Sequence, residues 1–234
     1  MKSHLTRIGL PCTGATLLVL GIAASTPAAV LINETFEGVG GVDADGFQTF
    51  APGVLPGTAF TVETGSVDIL GPDFELPAGE VVVSGQGQYL DTSGNNRSIL
   101  SSTDSFSFDV GDVIDLSFTL IGYNDSSRFG DSARVLVSLG DLFEEQFTIG
   151  ALSVPINFSR QIDVSSAATD VKLTFSTLNS DVDPDNVSRF VGPFLDDVSL
   201  KVTDVPEPSV LLPLLGLGVI AGYKRLQKAS QHAG

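Results

Sequence analysis

Cysteine and histidine are almost missing from this sequence, and tryptophan is missing altogether. The single cysteine is Cys12 and the two histidines are His4 and His232, so residues 30–204 contain neither type. A segment without these side chains cannot form a disulfide, a Ser-His-Asp or Cys-His catalytic site, or a zinc site built on imidazole or thiolate. These kinds of chemistry are therefore excluded for the central part of the chain.

Basic side chains are scarce as well. The chain has 12 Lys and Arg against 28 Asp and Glu, a formal net charge of −16. Only one acid, Glu207, but five bases lie outside residues 30–204, so this body carries 27 acids, seven bases and a charge of −20. A field of this sign repels nucleic acid and anionic membrane surfaces, which excludes nucleic-acid binding. The excess of acids favours solubility outside the cell or, alternatively, the binding of divalent cations.

The first 29 residues have the pattern of a secretory signal peptide. Lys2 and Arg7 form a basic start, residues 8–24 are apolar with small side chains, and Thr26 and Ala28 stand at positions −3 and −1 of a cleavage site. The pattern predicts a helical segment, residues 1–29, that signal peptidase removes during export. The alternative is a first transmembrane helix that is retained.

Residues 30–204 alternate apolar and polar residues in many short runs. In "DVIDLSFTL" the residues Ile114, Leu116, Phe118 and Leu120 share one side, and "ARVLVSL" and "DVKLTFST" repeat the pattern. A period of two indicates strands with one buried face. About ten such runs, separated by Gly, Asp, Asn and Pro, predict an all-β domain: an antiparallel β-sandwich of the jelly-roll type.

The last 30 residues form a third segment, 205–234. The motif Val205, Pro206, Glu207, Pro208 and Ser209 is followed by an apolar run to residue 223 and then by two bases, Lys224 and Arg225. As a helix, residues 209–223 would measure about 22 Å, less than the roughly 30 Å of a bilayer core. The run therefore predicts a short hydrophobic helix that is a marginal transmembrane segment, with its bases on the cytoplasmic side.

This order of Pro-Glu-Pro, apolar run and bases resembles the PEP-CTERM sorting signal of Gram-negative bacteria. The resemblance implies export, recognition of residues 205–234 by an exosortase in the inner membrane, and cleavage near Pro-Glu-Pro. It also implies release to the cell surface or the extracellular matrix after transient anchoring in the inner membrane. The alternative is a short anchor that is never cut.

The body is similar to galactose-binding-like and carbohydrate-binding-module jelly rolls. The residues that carry this similarity are "NETFEG" (33–38), "GSVDILG" (65–71), "GQYLD" (87–91), "VSLGDLFEEQFTI" (137–149) and "FLDDVSL" (194–200). The resemblance implies a structural calcium ion held by Glu37, Asp196 and Asp197 at an edge of the sandwich. Strand alternation predicts Asp197 on the outer side and Asp196 on the inner side. The alternative role for Asp196 is to cap nearby backbone amides.

The same resemblance suggests an exopolysaccharide ligand. Candidate contacts are Tyr89, Tyr123, Asp125 and Arg128, although core packing of the tyrosines and exposed ion pairs explain these residues equally well. Catalysis would need a carboxylate pair of the kind that glycoside hydrolases use, and nothing in the sequence selects one. We therefore expect a non-catalytic surface or matrix protein that binds exopolysaccharide. The alternatives are a structural or adhesive surface protein without a glycan ligand and a carboxylate-dependent glycoside hydrolase.

Overall fold

The computed structural model of the chain describes residues 27–74, 87–122, 132–150, 154–178 and 192–204. They belong to one compact unit, Thr26–Val205. The predicted C-terminal helix and all but the last three residues of the predicted signal peptide lie outside these ranges. In the part of the chain that is described, no helix has the length and apolar character that a membrane span requires.

Short strands make up nearly all of the regular structure. One 3-10 helix, Val39–Gly41, accompanies them. In chain order the strands are β1 Ala29–Glu34, β2 Phe47–Phe50, β3 Gly53–Val54, β4 Phe60–Thr64, β5 Val67–Leu70, β6 Tyr89–Asp91, β7 Ile99–Ser102, β8 Phe106–Phe108, β9 Val113–Ile121, β10 Ser132–Leu139, β11 Phe143–Gly150, β12 Ile156–Asp163, β13 Ala168–Val171, β14 Leu173–Thr177 and β15 Phe194–Thr203.

These strands form two large sheets. The first sheet has the order β12-β9-β15-β6-β5-β2, with β1 also paired to β15, and the second has the order β11-β10-β14-β7-β4-β3. Strands β13 and β8 form a small third sheet. The named strands pair antiparallel throughout, and the chain passes repeatedly from one large sheet to the other, for instance from β9 to β10 and from β14 to β15. The prediction of an all-β antiparallel sandwich is confirmed.

The core lies between the two large sheets. Ile114, Leu116, Phe118 and Leu120, which alternation places on one side of β9, are each 0% exposed. The Phe118 ring stands edge-on to Phe147 of the second sheet, with 5.0 Å between ring centroids, in a geometry worth about 0.5–1.5 kcal/mol beyond the area buried. The period-two pattern therefore identifies the inward side of this strand correctly.

One strand departs from simple alternation. Between Asp196 and Ser199 the register of β15 against β9 shifts, and Asp197 has a φ of 51°. This bulge brings both Leu195 and Val198 into the core, although they are three residues apart. Asp196 consequently lies on the outer side of the first sheet, so the prediction of an inward Asp196 was wrong. Asp197 is exposed, as predicted.

Candidate functional site

The end of β1 carries a carboxylate that joins the two sheets. Glu34 lies on the same strand side as the buried Ile32, and its Oε1 accepts a hydrogen bond of 2.8 Å from the Phe36 amide. Its Oε2 accepts a second bond, of 2.9 Å, from the amide of Ala59, the residue before β4. Sequence reasoning did not single out Glu34. The available signal was its inward position, since an inward carboxylate needs hydrogen-bond partners.

Glu37 lies against the start of β6. Its Oε1 accepts a hydrogen bond of 2.9 Å from the Gln88 amide. The preceding residue, Gly87, has a φ of 82°, and a Cβ atom there would collide with the Glu37 carboxylate. The Gln88 side chain accepts a bond of 3.1 Å from the Val39 amide, so the loop after β1 is fastened to β6 by several contacts. Glu37 is therefore held in a defined position close to β15, the strand beside β6.

Asp196 is the most buried of the three predicted calcium ligands. It is 3% exposed, and its Oδ1 accepts a hydrogen bond of 2.8 Å from the Asp197 amide. Burial is the main cause that raises the pKa of Asp196 to about 7, and the charges of Asp197, Glu37 and Glu34 raise it further. Glu37, Asp197 and Glu34 thus act electrostatically on Asp196. The alternative role of Asp196, a cap on a backbone amide, is also observed.

The donor chemistry of this group fits calcium, which binds carboxylate and carbonyl oxygens. Backbone amides occupy both oxygens of Glu34, whereas the amide contacts of Glu37 and Asp196 each involve one oxygen. Within the described ranges, no three His, Cys, Asp or Glu side chains are already spaced to hold a metal ion. An ion here would therefore also need backbone or water oxygens.

Of the predicted ligand contacts, only Tyr89 falls within the described residues. It is 0% exposed, and its ring packs against Phe194 with 5.2 Å between the centroids. In this position the ring is not an open platform for a sugar. Tyr123, Asp125 and Arg128 lie outside the described residues, as do the sorting residues Val205 to Ser209, Lys224 and Arg225.

An open groove of about 640 Å³ lies beside the turn between β10 and β11. That turn, the end of β12 and the segment leading through β13 form its walls. The polar side chains that line it are Asp141, Asp163, Ser165, Ser166, Thr169 and Asp170. Sequence reasoning missed this site. The available signal was the run "DVSSAATD", which is rich in hydroxyl and carboxylate groups and joins two strands.

Backbone hydrogen bonds fix one wall of the groove. The Val164 amide donates to the Asp112 carbonyl and its carbonyl accepts from the Gly111 amide, each at 2.9 Å. Further along this wall, Asp170 has a φ of 56°, and the pairing of β13 with β8 is irregular between Ala168 and Val171. The groove is therefore built on paired strands and anchored loops, and it presents hydroxyl donors beside carboxylate acceptors.

Comparison with known proteins gives solved structures only. No protein-family model matches the chain, and no curated protein does either. The CBM22-1 xylan-binding domain of Xyn10C from Paenibacillus barcinonensis matches with 12% identity and a TM-score of 0.36, over 78% of this chain and 99% of that one. The C-terminal CBM6 of LamC from Zobellia galactanivorans matches with 12% identity and a TM-score of 0.32, over 68% of this chain and 99% of that one.

A third match is part of a larger enzyme. An arabinose-bound MgGH51 α-L-arabinofuranosidase matches with 12% identity and a TM-score of 0.41, over 76% of this chain. The matched part is 32% of that enzyme, so the chain spans about a third of its length. With identities and TM-scores this low, the ligands named for these proteins are properties of those proteins alone.

Proposed function

We propose that this protein is an exported, non-catalytic polysaccharide-binding protein of the cell surface or extracellular matrix, sorted there by residues 205–234. The observation that carries the binding proposal is the groove beside β13. Its carboxylates accept hydrogen bonds from sugar hydroxyls, and its serine and threonine hydroxyls both donate and accept them. Polar groups placed in a concave site can fix the orientation of a bound ligand.

The charge of the body narrows the class of polysaccharide. With 27 acids and seven bases in residues 30–204, the protein repels strongly anionic chains at low salt. Three of the groove's polar side chains, Asp141, Asp163 and Asp170, are themselves carboxylates. A neutral exopolysaccharide, or one whose charges are covered by cations, is therefore the ligand class that fits this groove.

The ends of the folded body support the export and sorting part of the proposal. Ala29 begins β1 and is the register partner of Val202 near the end of β15. Cleavage by signal peptidase after Ala28 and by an exosortase near Pro206-Glu207-Pro208 would therefore fall just outside two paired strand ends. Both cuts would leave every described strand intact, so the processed body would keep the described fold.

The calcium site is a second part of the proposal. Glu37, Asp196 and Asp197 would hold the ion at the edge where β1, β6 and β15 meet, and the ion would supply a positive charge beside the buried carboxylate of Asp196. The observation in its favour is that two acids from the other end of the body, Glu34 and Glu37, raise the pKa of Asp196 together with its neighbour Asp197, after burial as the main cause. The role of such an ion would be structural, since it would fasten the loop after β1 to the last strand.

Retention on isolated exopolysaccharide tests the binding proposal. We expect the purified full chain to be retarded in gels that contain the polysaccharide, and we expect Asp163→Asn and Asp141→Asn to weaken retardation several-fold. The control Asp45→Asn removes the same charge at an exposed turn outside the groove and should change nothing. Equal retardation of all variants would remove the groove from the proposal.

Two other outcomes would replace the proposed function. If no polysaccharide retards the protein but the protein associates with itself in light scattering, it is a structural or adhesive surface protein. If incubation with matrix polysaccharide releases sugar, and one carboxylate substitution abolishes that release, it is a glycoside hydrolase.

A further inference from the structure

Two carboxylates face each other on the outer side of the first sheet. Asp68 in β5 and Asp91 in β6 are register partners, and their neighbours Ile69 and Leu90 point into the core. Residues directly opposite on antiparallel strands have Cβ atoms about 4.5–5.5 Å apart, and like charges in this position destabilise the sheet. Such a pair therefore needs a proton or a cation between the two groups.

Burial strengthens the need for a proton or a cation between the two carboxylates. Asp91 is 4% exposed, and its Oδ1 accepts hydrogen bonds from the amides of Ser93, at 2.9 Å, and Gly192, at 3.0 Å. Burial nevertheless raises the pKa of Asp91 well above its ordinary value, and the charge of Asp68 adds to the increase. Burial also raises the pKa of Asp68, although a hydrogen bond with Thr49 opposes this effect. In water these two charges would be solvated, and here that solvation is largely removed.

A buried hydroxyl lies beside the pair and lacks a partner. Tyr89 is two residues before Asp91 on the same side of β6 and is 0% exposed. Burial, and to a smaller extent the charge of Asp91, raises its pKa. Its hydroxyl and the Oδ1 atom of Asp68 are both buried without a hydrogen-bond partner among the described residues. Buried polar atoms are nearly always paired, so two unpaired oxygens on the same side of the neighbouring strands β5 and β6 indicate a missing polar species.

We propose that Asp68 and Asp91 bind a hard divalent cation of the calcium type on the outer side of the first sheet. Two carboxylates balance the charge of one such ion. The Asp68 and Asp91 carboxylates, together with the Tyr89 hydroxyl, present oxygen atoms only, which is the donor set that calcium prefers over nitrogen or sulfur. Water and backbone oxygens complete the coordination shell.

This second cation site is separate from the one at Glu37. The charges that raise the pKa of Asp196 belong to Asp197, Glu37 and Glu34. The carboxylate that raises the pKa of Asp91 is Asp68. The two groups share no acid, so substitutions can remove one group without the other.

Calcium titration of the purified full chain, with ions counted by calorimetry, tests the proposal. We expect Asp68→Asn to bind one ion fewer per chain than the wild type, whereas Glu37→Gln keeps that ion and Asp45→Asn changes nothing. If Asp68→Asn does not fold, as judged by circular dichroism, Asp91→Asn is used, because its amide oxygen can still accept the two backbone bonds. An unchanged ion count in the folded variant would overturn the proposal.

Terbium provides a second readout, because the chain has no tryptophan and only tyrosine can sensitise the emission of a bound ion. In the Glu37→Gln background we expect terbium emission to persist, and Tyr89→Phe to reduce it several-fold, whereas Tyr223→Phe leaves it unchanged.

If Asp68→Asn raises the melting temperature by the same amount with calcium and with chelator, the pair shares a proton only. That result would likewise overturn the cation site. Neither experiment depends on the groove or on polysaccharide binding.

Discussion

Arg160 and Glu145 connect the open edges of the two sheets. Arg160, on the edge strand β12 of the first sheet, donates from Nε to Oε2 and from Nη2 to Oε1 of Glu145 on the edge strand β11 of the second, each at 2.6 Å. The guanidinium carbon also lies 5.1 Å from the centroid of the Phe147 ring. A cation thus covers an aromatic side chain at the rim of the core while it pairs with a carboxylate across the sandwich.

This ion pair makes a small part of the stability depend on pH. The hydrogen bond from Arg160 holds the pKa of Glu145 below its ordinary value of 4.5. The stabilisation is therefore present above about pH 4.5 and is lost as the pH falls through the lowered pKa of the folded state. Because both side chains are more than a third exposed, solvent screening keeps the contribution of this ion pair to the free energy of unfolding below about 1 kcal/mol.

We expect Glu145→Gln to lower the free energy of unfolding in urea at pH 7 and low salt, and to have a progressively smaller effect as the pH falls below about 4.5. Glu63→Gln is the control. It breaks a pair in which Lys172 makes one contact of 3.2 Å. It should therefore lower the free energy of unfolding by less than Glu145→Gln does. A difference between Glu145→Gln and the wild type that persisted at low pH would show that the ion pair is not its cause.

Calcium removal should destabilise the protein. We expect a chelator to lower the melting temperature of the full chain, and Glu37→Ala and Asp197→Ala each to do the same in the presence of calcium. An ion present at 100 times its dissociation constant stabilises the folded state by about 2.7 kcal/mol. Asp197 is exposed, so with chelator present Asp197→Ala should cost only the strain of alanine at a φ of 51°. Identical melting of the wild type with and without chelator would contradict both cation sites.

A side chain at position 87 should strain the backbone and displace the Glu37 carboxylate. We expect Gly87→Ala to lower the free energy of unfolding by more than about 1 kcal/mol, since the φ of 82° is strained for alanine and the methyl group meets the Glu37 carboxylate. Gly57→Ala is a matched control, because Gly57 has a φ of 78° but nothing within 4 Å of an added Cβ. Denaturant titration of both variants separates the clash from the backbone strain. Equal losses would mean that the contact with Glu37 costs nothing.

Processing at both ends can be read from the mass of the mature protein. We expect protein recovered from the cell surface or the culture medium to begin at or next to Ala29 and to lack the residues after about Pro208. Intact mass spectrometry measures both ends in one experiment. A recovered mass that includes residues 209–234 would identify this segment as a permanent anchor.

The predictable part of the fold was the part with local periodicity. In β9, β10 and β14 every second residue is apolar, and a strand buried on one side requires that pattern, so the sandwich and its inward residues followed directly. Position 196 was not predictable in this way. A bulge adds one residue to a strand without changing its composition, so alternation assigned Asp196 to the inner side.

The candidate site depends on register and was predictable only in part. Glu37, Asp196 and Asp197 were selected through a resemblance, and their role as calcium ligands stays a prediction. The groove was missed because its walls come from the β10–β11 turn, β12 and β13, and no local pattern shows that these meet. Glu34 was missed for a similar reason, since its second partner, Ala59, is 25 residues away.

The sequence by itself determined the chemistry that is open to the protein and the kind of sheet that it forms. Without histidine or cysteine in residues 30–204, the body offers oxygen ligands to a cation, and alternation requires one buried side for each strand. Only the tertiary structure decided which acids meet. Strand register places Asp68 opposite Asp91 and the bulge at Asp197 turns Asp196 outward. These placements arise from pairing between distant segments, and pairing depends on the packing of the whole sandwich.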